Sequence, residues 1–228
     1  MGLVALAAAL GFSVVSAQAS PLSSAANALN DGLGPDGGIW RGTQNLVAAP
    51  SIIPNSAIDS VVDFAVFAPG GFQSYLDVSF PGQGFTDASG GSEFVYAFQV
   101  TANAPTQVRA LNAGIDLGAN LGTLGGPQAV VGSGDSTPTG ASTFNDTSVR
   151  WDWGDFALLD SGETSDVLYY TSAFGPQPDQ VTVASQFNGN QADSGPADFA
   201  SPGIPEPSSI VICLLAACAA TASRQRIS

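Results

Sequence analysis

The residues in this chain that could do chemistry are almost all carboxylates. Asp152 with Asp155, and Asp160 with Glu163, are closely spaced acidic pairs beside aromatic residues, and hydrolysis of a glycosidic bond needs two carboxylates flanking it. Strand spacing, however, turns Asp152 away from Trp151 and Trp153 and makes it a solvated partner of Arg150. A hard cation such as calcium fits these residues better than catalysis, because it takes carboxylate and carbonyl oxygens from glycine-rich loops. The candidate groups are Asp31 with Asp36, Asp135 with its neighbours, and Asp152 with Asp155, and none follows an EF-hand spacing. Trp151, Trp153 and Tyr170 could form an aromatic platform for a sugar; packing into a core is the stronger reading, since they point inward on their strands.

Other chemistries are excluded outright. The chain has no histidine, so a Ser-His-Asp triad, a Cys-His pair and His-containing zinc or copper sites cannot be built. Its two cysteines, Cys213 and Cys218, both fall in the last 20 residues, which leaves the rest without disulfides. Nineteen acidic residues face five arginines and no lysine, a net charge of −14. Such a chain repels nucleic acid and anionic lipid while staying soluble and open to cations. Asn145-Asp146-Thr147 has the pattern of a glycosylation sequon and reads as a turn.

The elements that would position these residues are strands. Asp59 to Phe67 puts Val62, Phe64 and Val66 on one face, and Glu93 to Val100 puts Phe94, Tyr96, Phe98 and Val100 inward with Glu93, Ala97 and Gln99 outward. Tyr75 to Phe80 alternates in the same way, with Leu76, Val78 and Phe80 inward. Thr106 to Asp116, Thr147 to Trp153, Asp166 to Ser172 and Asp179 to Ser185 complete the set. Pro176 and Pro178 separate the last two. Ile39-Trp40-Arg41 leads into a first strand after the turn cluster Asp31 to Gly38, and Pro21 to Leu33 offers at most a helical turn. Leu117 to Ser142 reads as a long glycine-rich loop with one short strand at Gln128 to Val131. With 27 glycines and 15 prolines, this predicts an all-β fold, a single β-sandwich of jelly-roll-like or immunoglobulin-like arrangement over residues 20–203.

The two ends differ from that middle. Residues 1–19 read as a secretory signal peptide: Leu3 to Val15 is apolar, and Ala17-Gln18-Ala19 fits a small-x-small cleavage site before Ser20. No basic residue precedes Leu3, which leaves either a weak signal or a start downstream of the true one. At the other end, Ile204-Pro205-Glu206-Pro207 is a stiff, non-helical spacer. Ser208 to Ser223 follows without a charge, and Arg224 and Arg226 close the chain. The 16 residues of that segment would make a helix of roughly 24 Å, thin for a membrane span of about 20 residues but able to insert with local thinning. Arginines beyond it would remain cytoplasmic and leave the preceding chain outside. The alternative for the segment is a buried C-terminal helix.

A Pro-Glu-Pro triplet, a short apolar helix and a basic end, in that order at the C-terminus, resemble the sorting signal of the PEP-CTERM family of exported bacterial proteins. The resemblance covers 204–228, with the motif at 204–207, the transmembrane helix at 208–223 and the basic tail at 224–228. It departs from the family in having only two arginines. A second likeness, in Phe94 to Val100 and Gly162 to Ser172, is to segments that recur in the β-rich exported regions of the same family, and it implies a shared sandwich scaffold. The family resemblance implies that an exosortase, a membrane-embedded processing peptidase, recognises Pro205 to Pro207 at the inner membrane. The domain is then released to the cell envelope or to an extracellular polysaccharide matrix. Tails of this kind are also associated with ice-binding proteins, but no regular Thr-x-Thr ladder is present. The expectation is a non-enzymatic surface or matrix protein without a cofactor; the alternative is a carbohydrate-binding or carbohydrate-acting module with the same tag.

Overall fold

The computed structural model describes residues 21–50, 57–103, 105–115, 121–125, 136–144, 147–154, 157–185, 190–195 and 198–203. The signal segment with Ala17 and Ala19, the tail with Pro205, Glu206, Pro207, Arg224 and Arg226, and also Asp135, Asn145, Asp146 and Asp155, lie outside the described residues.

In chain order the strands begin with β1 (Asn30–Gly34), β2 (Gly38–Ile39), β3 (Arg41–Ala48) and β4 (Ile58–Phe67). The helix α1 (Gly71–Ser79) comes next, and then β5 (Phe94–Ala102), β6 (Val108–Gly114), β7 (Leu121–Gly125), β8 (Gly140–Phe144) and β9 (Ser148–Asp152). The chain continues through β10 (Leu168–Ser172), β11 (Pro176–Asp179), β12 (Val181–Ser185), β13 (Gln191–Asp193) and β14 (Phe199–Pro202). The architecture is all-β, with every paired strand antiparallel.

Two five-stranded sheets dominate, one in the order β3-β4-β5-β10-β7 and one in the order β13-β12-β6-β9-β8. The chain passes between them so that pairings nest: β8 with β9 in the second sheet, β7 with β10 in the first, β6 with β12 in the second. Alternate residues of each sheet meet in one buried cluster, Val62, Phe64, Tyr96, Phe98 and Tyr170 from the first, Leu111, Val149, Trp151, Val181 and Val183 from the second. Period-two burial on β9, with Val149 and Trp151 in and Ser148, Arg150 and Asp152 half-buried, is what its alternation predicts.

The first sheet is covered on its other face as well, and this corrects two expectations. Residues 71–79 form a helix instead of the inward-outward strand read from Leu76, Val78 and Phe80. Phe72, Tyr75, Leu76 and Ser79 are buried at helical spacing, while Val78 is 72% exposed. The outer face of β4 and β5 carries Ala65, Phe67, Val95 and Ala97, which must be covered by something, and a nine-residue helix with three large apolar groups on one stripe covers it. Consequently Ala97 and Gln99 of β5 do not face solvent: Ala97 packs under the helix, and Gln99 is buried with its Nε2 donating to Ser165 O at 2.9 Å.

Two further corrections concern the glycine-rich middle and the proline pair. Leu117 to Ser142, read as loop with one short strand at Gln128 to Val131, contributes β7 and β8, and 126–135 lie outside the described residues. Pro176 and Pro178 do not merely separate strands. They sit in β11, which pairs with β14. Prolines at alternate positions leave Gln177 and Asp179 to supply the ladder donors, so the missing N–H groups fall on the side away from β14.

Candidate functional site

Each candidate residue within the described part has a definite place. Trp151 and Trp153 are fully buried. Trp151 stacks on Tyr170 with centroids 6.2 Å apart and lies 5.7 Å from Phe98. Tyr170 is also inaccessible, so the three rings form core and offer no face to a sugar.

The acidic candidates are held apart by separate partners. Asp31 Oδ1 accepts from Leu33 N at 2.8 Å and from Trp40 Nε1 at 2.9 Å, which fastens the β1–β2 hairpin over the buried indole. Asp36 pairs with Arg41 Nε at 2.7 Å. Asp160 and Glu163 close a turn, with Asp160 N donating to Glu163 Oε2 at 2.9 Å and Glu163 N to Asp160 O at 3.0 Å. Among the described residues, no three acidic or cysteine side chains are grouped so that they could hold a metal ion. Among them, too, no helix is long and apolar enough to cross a membrane.

Asp152 is a heavily engaged carboxylate. Its Oδ2 accepts from Arg150 Nε at 3.0 Å and Nη2 at 2.8 Å, its Oδ1 accepts from Gly154 N at 2.6 Å, and Arg109 Nε lies 4.0 Å away. Partial burial raises its pKa, but the Arg150 and Gly154 hydrogen bonds and the two guanidinium charges outweigh this and hold it below the ordinary value. A carboxylate so fixed as an anion is a poor proton donor and is suited to holding Arg150 in place.

What Arg150 is held against is a groove of about 440 Å³ on the outer face of the second sheet. Register sets Asp193, Thr182, Asn112, Arg150 and Ser142 side by side on β13, β12, β6, β9 and β8, and the middle three of this row, Thr182, Asn112 and Arg150, form the groove's floor. Their neighbours Val183, Leu111 and Trp151 point into the core, so this row points outward. Arg150 Nη1 reaches Asn112 Oδ1 at 3.4 Å, and Thr182 Oγ1 donates to Asp193 Oδ1 at 2.6 Å. Gly114 and Ser148 extend the half-buried floor; Thr147, Gln180 and Gln191 form an exposed rim.

Of the groove residues, the sequence singles out Arg150, as the partner of Asp152, and Thr147, in the sequon pattern. The others are Asn112 and Gly114 of β6, Ser148 of β9, Thr182 of β12, Gln191 of β13 and Gln180 just before β12, and only the register brings them together. Comparison with known proteins found no matching family model, no matching curated protein and no matching solved structure.

Proposed function

We propose that this chain is an exported, non-enzymatic surface or matrix protein, delivered by a signal peptide and sorted through its C-terminal tail by an exosortase-type peptidase. The observation that carries this reading is the order of residues in 204–228: Pro205-Glu206-Pro207, then an uncharged segment of 16 residues, then Arg224 and Arg226. A span that thin suits brief retention in the inner membrane and removal better than permanent anchoring. Both cysteines leave with it, and the domain left outside holds itself together without a disulfide, chiefly by apolar burial and antiparallel ladders.

The finer fold belongs to the same proposal. Two facing five-stranded sheets make a β-sandwich, and nested pairings that alternate between sheets favour the jelly-roll-like arrangement over the immunoglobulin-like one. Fold alone assigns no activity.

Sorting is tested by the intact mass of the protein recovered from native envelope or matrix. Loss of the mass of 208–228, with both cysteines, is the expected outcome. A mature protein that retains Cys213 and Cys218 overturns the processing step.

The alternative, a carbohydrate-binding module with the same tag, is favoured by one specific observation, the polar groove on the second sheet. Trp151 and Trp153 do not contribute to it.

A further inference from the structure

We infer that the groove floored by Asn112, Arg150 and Thr182 is a binding site for a neutral polysaccharide, held through its hydroxyl groups. The inference deepens the second reading above, a carbohydrate-binding module with the same tag, and rests on it.

Size and chemistry point the same way. A groove of about 440 Å³ lies within the range of roughly 300–1,000 Å³ usual for small-molecule sites. Among the described residues its lining contains no large apolar side chain, so an apolar ligand finds no bulky group there to pack against. The groove presents instead amides at Asn112, Gln180 and Gln191 and hydroxyls at Ser148 and Thr182, groups that both donate and accept. Sugar hydroxyls also do both, and a mixed set of partners matches them better than a cluster of donors would.

Charge selects among saccharides. Among the described residues of the lining Arg150 is the one cation, and Asp152 neutralises it through two of its nitrogens. The Asp193 carboxylate stands beside Thr182, at the edge of the groove. Asp179 lies directly over Gly114, where a Cβ would come within 2.8 Å of its oxygens. A uronate, sulfate or phosphate group would come near these two carboxylates, in a chain of net charge −14, with no unneutralised cation among the described lining residues to offset them. A neutral polymer meets no such opposition.

The groove is also preorganised. Arg150 is fixed by Asp152, Thr182 by Asp193, and Asn112 stands in register between them on the central strand of the sheet. Groups already held in place lose little freedom when a ligand arrives.

Affinity electrophoresis of the full chain tests this, in native gels cast with dextran, mannan or galactan and, for contrast, with polygalacturonate. At least one neutral polymer should retard the protein while polygalacturonate does not. Asn112→Ala and Gln191→Ala should each weaken the retardation about fivefold, and Ser148→Trp, which fills the groove, should abolish it. Gln191 is exposed on an edge strand, so that variant folds as the parent does, and thermal melts verify the other two. Lack of retardation in all three neutral polymers overturns the inference, as does stronger retardation in polygalacturonate or retardation unchanged in Gln191→Ala and in folded Ser148→Trp. Because tail removal is read separately by mass, a sorted protein that binds no neutral glycan defeats the groove alone, and a glycan-binding protein with an intact tail defeats the sorting alone.

Discussion

Trp151 of β9 and Tyr170 of β10 stack at 6.2 Å with their planes 25° apart, although their strands belong to different sheets. This contact joins the two layers at their centre, and Tyr170 continues it to Tyr96, its cross-strand neighbour, at 4.9 Å and 10°. Trp151→Ala should therefore cost about 3–5 kcal/mol of stability, read as a lower denaturant midpoint. Tyr170→Phe should behave in the opposite way. The Tyr170 hydroxyl is buried with no hydrogen-bond partner among the described residues, so deleting it should leave stability unchanged or raise it by up to about 1 kcal/mol. A large loss in Tyr170→Phe would mean that the hydroxyl is satisfied.

The helix α1 can be tested against the strand that its sequence imitates. A strand through Leu76, Val78 and Phe80 would bury Val78, whereas the helix exposes Val78 and buries Phe72. Phe72→Ala should cost about 3–5 kcal/mol, and Val78→Ser should stay within about 0.5 kcal/mol of the parent. Equal losses in urea titrations of both variants would refute the helical register.

That misreading shows where the sequence is legible and where it is not. β5 and β9 are readable because large apolar residues recur at every second position, and β4 and β10 because their β-branched and aromatic residues form short apolar runs. Residues 72–80 satisfy periods of both 2 and 3.6, and the choice falls to the apolar outer face of β4 and β5, which is a tertiary fact. β7 and β8, built largely of glycine, serine, threonine and alanine, carry almost no periodic signal and are held by pairing to β10 and β9. The groove was illegible for a third reason. Asn112, Arg150, Thr182 and Gln191 are ordinary polar positions on separate strands until registers align them.

Gly122 of β7 should tolerate no side chain. A Cβ there would collide with Glu93 Oε2 and Thr171 Oγ1, because the Glu93 carboxylate lies across the β7 backbone to accept from Thr171 Oγ1 at 2.5 Å. Thr171 Oγ1 in turn accepts from Thr123 N at 2.7 Å. Gly122→Ala should cost about 1–3 kcal/mol. Part of that loss should disappear in a Glu93→Ala background, where the obstructing carboxylate is gone and Thr171 Oγ1 is free to turn away. Additive losses in the double-mutant cycle would show that Glu93 is not what excludes the methyl group.

Asp152 should make acid stability depend on Arg150. Its folded pKa lies below the ordinary 3.8, so its contribution is present above that value and is lost as pH falls through the depressed folded pKa. Asp152→Asn should be less stable than the parent at neutral pH, and the two should converge as pH drops below about 3.8. A gap that persists undiminished in urea midpoints at the lowest pH would assign the loss to packing and not to charge.

All four tyrosines of the chain, Tyr75, Tyr96, Tyr169 and Tyr170, are buried, and burial raises every one of their pKa values above the ordinary 10. Tyr75 and Tyr169 are pushed up to about 12, with Asp63 and Asp87 adding to the effect, and Tyr96 and Tyr170 are raised further. Groups raised on folding contribute stability that is complete below the unfolded value of 10 and is lost as pH climbs through the folded values. The unfolded chain alone releases these protons just above pH 10, so alkali should pull the protein open between about 10 and 12 and ionise the four phenols together. Tyrosinate absorbance and loss of strand circular dichroism should then share one steep transition. Absorbance that rises gradually around pH 10 while the circular dichroism is unchanged would place at least one phenol in solvent, and the core described for both faces of the first sheet would have to be redrawn.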